Sequence, residues 1–163
     1  MTTEIKANVT REDYADFNTH LFIKRNLKKY IVLSIVMSLA LPFLITSKST
    51  PDYFDFMLAF IVYNLVFWLL MYNRLRKTKN IPMEGSPALG ERKYIISDSE
   101  FICENEMVFS KIRWDGIKSV DISKKAIYLF VDTNQAFIIP RRTFSDLIAE
   151  NEFVELINRK GKM

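Results

Sequence analysis

Two uncharged apolar runs dominate this 163-residue sequence, residues 30–45 (YIVLSIVMSLALPFLI) and residues 56–72 (FMLAFIVYNLVFWLLMY). Each is slightly short of the roughly 20 residues that cross a hydrocarbon core. Leu27 lengthens the first run, and Lys28 and Lys29 can snorkel toward headgroups. A buried helix pair in a soluble fold would show a polar stripe, whereas the only polar interruptions here are Ser34, Ser38 and Asn64. The pattern predicts a transmembrane hairpin with spans at about 27–46 and 54–73, joined by a turn over 46–53. A cleaved signal peptide does not fit, because some 29 mostly polar residues precede the first run and a second run follows.

The flanks give an orientation. Lys24, Arg25, Lys28 and Lys29 precede the first run and Arg74, Arg76, Lys77 and Lys79 follow the second, against Lys48 alone between them. This asymmetry predicts a multi-pass membrane protein with both termini cytoplasmic. The same eight cations are candidate contacts for anionic lipid headgroups. Asn64, an amide in an apolar run, is the candidate helix–helix contact. Ser34 or Ser38 could satisfy it across the hairpin, and Asn64 of a second copy would too, which leaves homo-oligomerisation open. No Asp, Glu, Lys or Arg interrupts either run, which argues against an ion or proton pathway.

The remainder reads differently. Residues 1–29 form an N-terminal segment in which Thr10 and Asp13 resemble a helix cap, with Tyr14, Phe17 and Leu21 at helical spacing. This predicts a short amphipathic helix carrying the single histidine, His20. Residues 73–89 are a basic juxtamembrane segment and a linker rich in Pro and Gly. From residue 90 to 163, short β-like runs (93–97, 101–104, 107–114, 117–123, 126–131 and 135–140) are separated by turn signals close enough to require antiparallel hairpins. A helix follows Pro140, with Thr143 as its expected cap and Gly161 as its end. The fold class is therefore α+β, a two-helix transmembrane hairpin followed by a small antiparallel β-barrel or sheet covered by a C-terminal helix.

Residues 88–163 hold 12 Lys or Arg and 12 Asp or Glu, so the excess positive charge lies around the apolar half. That neutrality argues against nucleic-acid binding. One cysteine, Cys103, and one histidine leave no disulfide and no Cys/His metal cluster within the chain. Cys103 reads as a partly buried strand residue, and Trp114 as a core residue before a turn. No catalytic, cofactor-binding or metal-binding set is expected. In the folded half the candidate lipid or partner contacts are Arg141 and Arg142, placed between the last strand and the helix, where they could pair with a phosphate or carboxylate.

The run from Ile112 through Arg113-Trp114-Asp115-Gly116 to Val120, then Tyr128-Leu129-Phe130, then Ala136 through Pro140-Arg141-Arg142 to Phe144, resembles the YcxB-like domain of bacterial membrane proteins. Asp13-Tyr14, Phe17 and the two-span layout are similar to that family as well. The resemblance implies a pleckstrin-homology-like fold for the C-terminal part and a place in a bacterial cell membrane. It supplies no catalytic residues. Two expectations follow. One is a membrane-anchored, non-enzymatic binding module that engages a protein partner or anionic lipid at the inner leaflet. The other, by analogy, is an immunity-type protein that guards against a membrane-active peptide.

Overall fold

The computed structural model describes residues 3–45, 50–83 and 85–160, which divide into two compact units. The folded unit comprises residues 1–17 and 79–163, and the helical unit residues 18–78.

In the folded unit, strands β1 (Thr3–Val9), β2 (Gly90–Ile96), β3 (Glu100–Glu104) and β4 (Phe109–Arg113) form one antiparallel sheet in that order. Strands β5 (Ser119–Ile122), β6 (Ala126–Phe130) and β7 (Ala136–Pro140) form a second. Helix α4 (Leu147–Lys160) closes the unit. All six predicted strand regions are present, with ends moved by a few residues. The segment 107–114 is trimmed because Asn105 closes a tight turn, its Oδ1 accepting from the amides of Met107 at 3.0 Å and Val108 at 2.7 Å. Beyond β4, Trp114–Gly116 form one 3-10 turn.

The N-terminal segment departs from expectation. Beyond the predicted helix it contains β1, which pairs with β2 along its whole length from Thr3 opposite Ile96 to Val9 opposite Gly90. The alternation explains it. Ala7 and Val9 are buried whereas Glu4, Lys6 and Asn8 face outward, the period-2 pattern of a half-buried strand. The first strand of the folded unit thus precedes the apolar hairpin, and the other six follow it.

The core joins both sheets and the helix. Tyr94, Ile96, Phe101 and Cys103 from one sheet meet Ile127, Leu129 and Ile139 from the other, beneath Phe153 and Ile157 of α4. Phe101 contacts Phe137 with ring centroids 5.0 Å apart, and the Tyr94 hydroxyl donates to the Ile138 carbonyl at 2.8 Å. Trp114 is buried against Phe101, and its indole N–H donates to the Ser97 carbonyl at 3.1 Å, so its expected core role holds. Cys103 is buried in β3, and burial pushes its thiol pKa up. The cap of α4 is Asp146, whose carboxylate accepts from the Ala149 amide at 2.8 Å. Thr143 is instead consumed in a 3-10 turn (Arg141–Thr143) that Pro140 initiates. Gly161 lies outside the described residues. Gly90 opens β2 at φ +90°, a conformation that favours glycine where the linker turns into the strand.

The chain is helical without a break from Arg11 to Ile45, as α1 (Arg11–Leu21), a π-helical turn (Phe22–Asn26) and α2 (Leu27–Ile45). Helix α3 (Tyr53–Lys77) follows, with Asp52 and Asp55 forming a reciprocal capping box at its start. Both helices are long and apolar enough to cross a membrane, and most of their surface is exposed. The 46–49 part of the expected turn lies outside the described residues.

Within the helical unit α2 packs on α3 in antiparallel fashion. Tyr30 meets Phe67 near one end and Phe43 meets Phe56 near the other. Ser34, Ser38 and Pro42, each one turn further along α2, are its buried residues, and Ala59 is that of α3. Small side chains of this kind allow close helix approach. The expected bond from Asn64 to Ser34 or Ser38 is not made. Each serine hydroxyl donates to a carbonyl of its own helix, Ile31 at 2.9 Å and Ile35 at 2.8 Å, and the Asn64 amide donates to the Phe60 carbonyl at 2.8 Å. The carbonyl one turn back is the nearest acceptor, and its geometry is fixed by the helix.

Candidate functional site

A connected polar cluster in the folded unit surrounds the start of α1. Thr10 caps the helix: the Asp13 amide donates to its hydroxyl at 3.3 Å, and the Asp13 carboxylate accepts from the Thr10 amide at 2.7 Å. The predicted cap is therefore present. The same carboxylate has a second role that no local pattern announces. Arg142 grips it bidentately, at 2.6 Å to Oδ1 and 2.5 Å to Oδ2, and also donates to the Asn8 carbonyl at 2.8 Å. One guanidinium thereby joins the end of β1, the start of α1 and the turn after β7.

Two further contacts fasten the helix. Lys125, in the β5–β6 turn, donates to Asp16 at 2.8 and 2.9 Å. Phe17 is buried against Tyr128 and Phe130, with ring centroids 5.4 and 5.9 Å away. The first two turns of α1 are thus part of the folded unit, seated on β6.

Arg141 is also committed, pairing with the buried carboxylate of Glu150 on α4 at 2.6 Å. Both arginines singled out from the sequence are therefore held by carboxylates of their own chain, Arg142 with half its side chain exposed. The partner of Arg142 was not legible because Asp13 lies 129 positions away, a separation over which sequence spacing carries no information. Within residues 88–163, Arg141 and Glu150 are one of several matched pairs, whereas the acid that holds Arg142 lies ahead of the hairpin. Lys93 with Glu4, Lys111 with Glu100 and Lys160 with Asp98 continue the same matching. Asp98 is pushed down to about 2, chiefly by its hydrogen bond from Lys160.

The other candidate cations gather at one end of the helical hairpin. Lys24 and Arg25 lie on the π-helical turn, Lys28 and Lys29 on the first turn of α2, and Arg74, Arg76 and Lys77 on the last turn of α3. Because α2 and α3 run antiparallel, these seven share one end, with Asp52 and Asp55 at the other. Arg76 stacks over the Tyr72 ring at 5.7 Å. Lys79, in the 3-10 turn after α3, belongs to the folded unit.

The Asp13 carboxyl titrates below its ordinary value. Burial alone would raise it, and the hydrogen bonds from Arg142 and Thr10 outweigh that penalty. A depressed folded-state pKa stabilises the fold above the unfolded value of about 3.9, and that contribution is lost as the pH falls through the folded value. Chemical denaturation as a function of pH should therefore show an acid limb below about pH 4 that Asp13→Asn flattens. An identical limb in wild type and variant would show that Asp13 is not held this way.

Among the described residues, seven antiparallel strands and a C-terminal helix, with an apolar helical hairpin after the first strand, make this an α+β chain. Residues 96–157 match the family model of YcxB-like protein, so this part of the chain is similar to that family. The residues that carried the resemblance in the folded half, 112–144, all fall inside the match. No curated protein and no solved structure matches the chain.

Proposed function

We propose that this protein is a non-enzymatic binding module held at the inner face of a bacterial cell membrane by its two-span hairpin. Its folded unit is a pleckstrin-homology-like domain that engages a partner beside the bilayer. The observation that supports this reading best is the pairing of β1 with β2. One strand lies before the hairpin and the other after it, so a hairpin that crosses a membrane must return to the side it left. That requirement agrees with the cations gathered at one end, which favour the cytoplasmic side and anionic headgroups. A four-stranded and a three-stranded antiparallel sheet closed by a C-terminal helix are the elements of the pleckstrin-homology layout. The commitment of Arg141 and Arg142 to Glu150 and Asp13 shifts headgroup binding away from that pair and onto the juxtamembrane cations.

The test is cysteine accessibility in intact bacterial cells. A thiol introduced at the exposed position between the helices by Thr50→Cys should react with a membrane-impermeant reagent, and one introduced by Lys124→Cys should react only after lysis. Photo-crosslinkers placed at the exposed positions Ile122 and Leu147 should then give discrete adducts. Reaction at Lys124→Cys in intact cells would overturn the topology, and crosslinkers that yield no adduct at any exposed position would overturn the binding role.

A further inference from the structure

The folded unit presents two sets of apolar side chains that nothing in the unit covers. At the β3–β4 turn Met107 and Phe109 are each 65% exposed, with Val108 between them at 43%. In the segment leading to β2, Ile81 and Met83 are 60% and 81% exposed. The turn is rigid, since the Asn105 side chain accepts from two of its amides and the Asn105 amide donates to the Val108 carbonyl at 2.9 Å. It is also fastened to the incoming segment, because the Pro87 carbonyl accepts from Asn105 at 3.2 Å and from Arg92 at 2.6 Å.

Chain length then limits where the turn can go. The helical extension of α3 ends at Asn80, and Pro87 is seven residues further on, an extended reach of at most about 25 Å. The stretch that leaves Asn80 is itself apolar and exposed at Ile81 and Met83, with no charged residue between Asn80 and Met83. A preorganised apolar tip on so short a tether fits a lipid surface. Glu104 and Glu106 precede it and Lys111 follows it, so the tip carries no excess of positive charge to draw it to anionic headgroups.

We propose that the β3–β4 turn is a membrane wedge, inserting Met107, Val108 and Phe109 into the interfacial layer of the bilayer that holds the hairpin. This deepens the membrane-anchored reading and rests on it. Insertion depends on apolar burial and is therefore the same in neutral and anionic bilayers.

The test uses the full-length chain labelled at single positions with a polarity-sensitive fluorophore, in vesicles of phosphatidylcholine with and without phosphatidylglycerol. Brominated acyl chains serve as quencher. Met107→Cys and Phe109→Cys carry the tip label, Leu65→Cys reports the hairpin, Glu152→Cys is the exposed reference on α4, and the unsubstituted chain with its buried Cys103 is the blank. The tip labels are expected to shift to the blue and lose most of their emission to bromolipid in both vesicle types, as the hairpin label does, while the Glu152→Cys label does neither. Tip labels that stay in water while the hairpin label is quenched would overturn the wedge and leave the anchored reading standing. A hairpin label that stays in water would overturn both. Quenching of the tip only when phosphatidylglycerol is present would replace the apolar wedge with an electrostatic contact and so overturn it.

Discussion

Expressed by themselves, residues 88–163 are expected to remain unfolded, even though they contain six of the seven strands and the whole of α4. The missing strand β1 pairs along the full length of β2, buries Ala7 and Val9, and also lies against β7. The same deletion removes Phe17 from the surface of Tyr128 and Phe130, and removes Asp13 from Arg142. Losses on this scale are comparable with the 5–15 kcal/mol or so that holds a typical small domain together. Thermal unfolding of the fragment followed by circular dichroism should show no cooperative transition. A chain that joins residues 1–17 to 79–163 through a flexible glycine-serine linker should recover one. A cooperative transition in the fragment alone would mean that β1 is an accessory strand.

The second large effect is expected at Arg142. Asp13 is 4% exposed, and Arg142→Ala leaves its carboxylate buried without a counter-charge. Breaking such a pair from one side costs about 3–5 kcal/mol, and the half-exposed guanidinium places this one near about 3 kcal/mol. Removing both members is milder, so Asp13→Asn combined with Arg142→Met should lose less than the two single changes added together. Denaturation of the full-length chain in detergent micelles would measure both. A loss below about 1 kcal/mol for Arg142→Ala is the range of a solvated surface pair and would contradict the burial of Asp13. This result also bears on any binding assay, because alanine at Arg142 perturbs the fold before it reports on a ligand.

Local signals explain which features were readable in advance. The apolar runs, the turn residues between strands and the Thr10–Asp13 cap each act over a few residues, and the structure contains all of them. β1 had a local signal too, the alternation of Ile5, Ala7 and Val9 with Glu4, Lys6 and Asn8. Its partner, however, lies beyond the entire hairpin, and a lone strand next to a helix cap reads as a polar tail. The pairing of Arg142 with Asp13 depends on that missed strand, since the Asn8 carbonyl at the end of β1 shares the same guanidinium. The Ser34 or Ser38 partner offered for Asn64 is not taken up, for the opposite reason. The need of Asn64 for a partner was legible, but its own helix offered one closer than the neighbouring helix did.

The separation of β1 from β2 sets an order of events during synthesis. The residues that pair are 81 to 93 positions apart, so at about 5–20 residues per second β1 waits several seconds for its partner to be translated. Everything made in that interval is α1, the hairpin and the linker. Closing so long a loop as disordered chain costs entropy that grows with its length, whereas a packed helix pair brings its ends together in advance. Pairing of β1 with β2 is therefore favoured in a chain whose hairpin has already folded back on itself. In this way a soluble-looking strand ahead of the hairpin becomes a checkpoint on the helices that follow it.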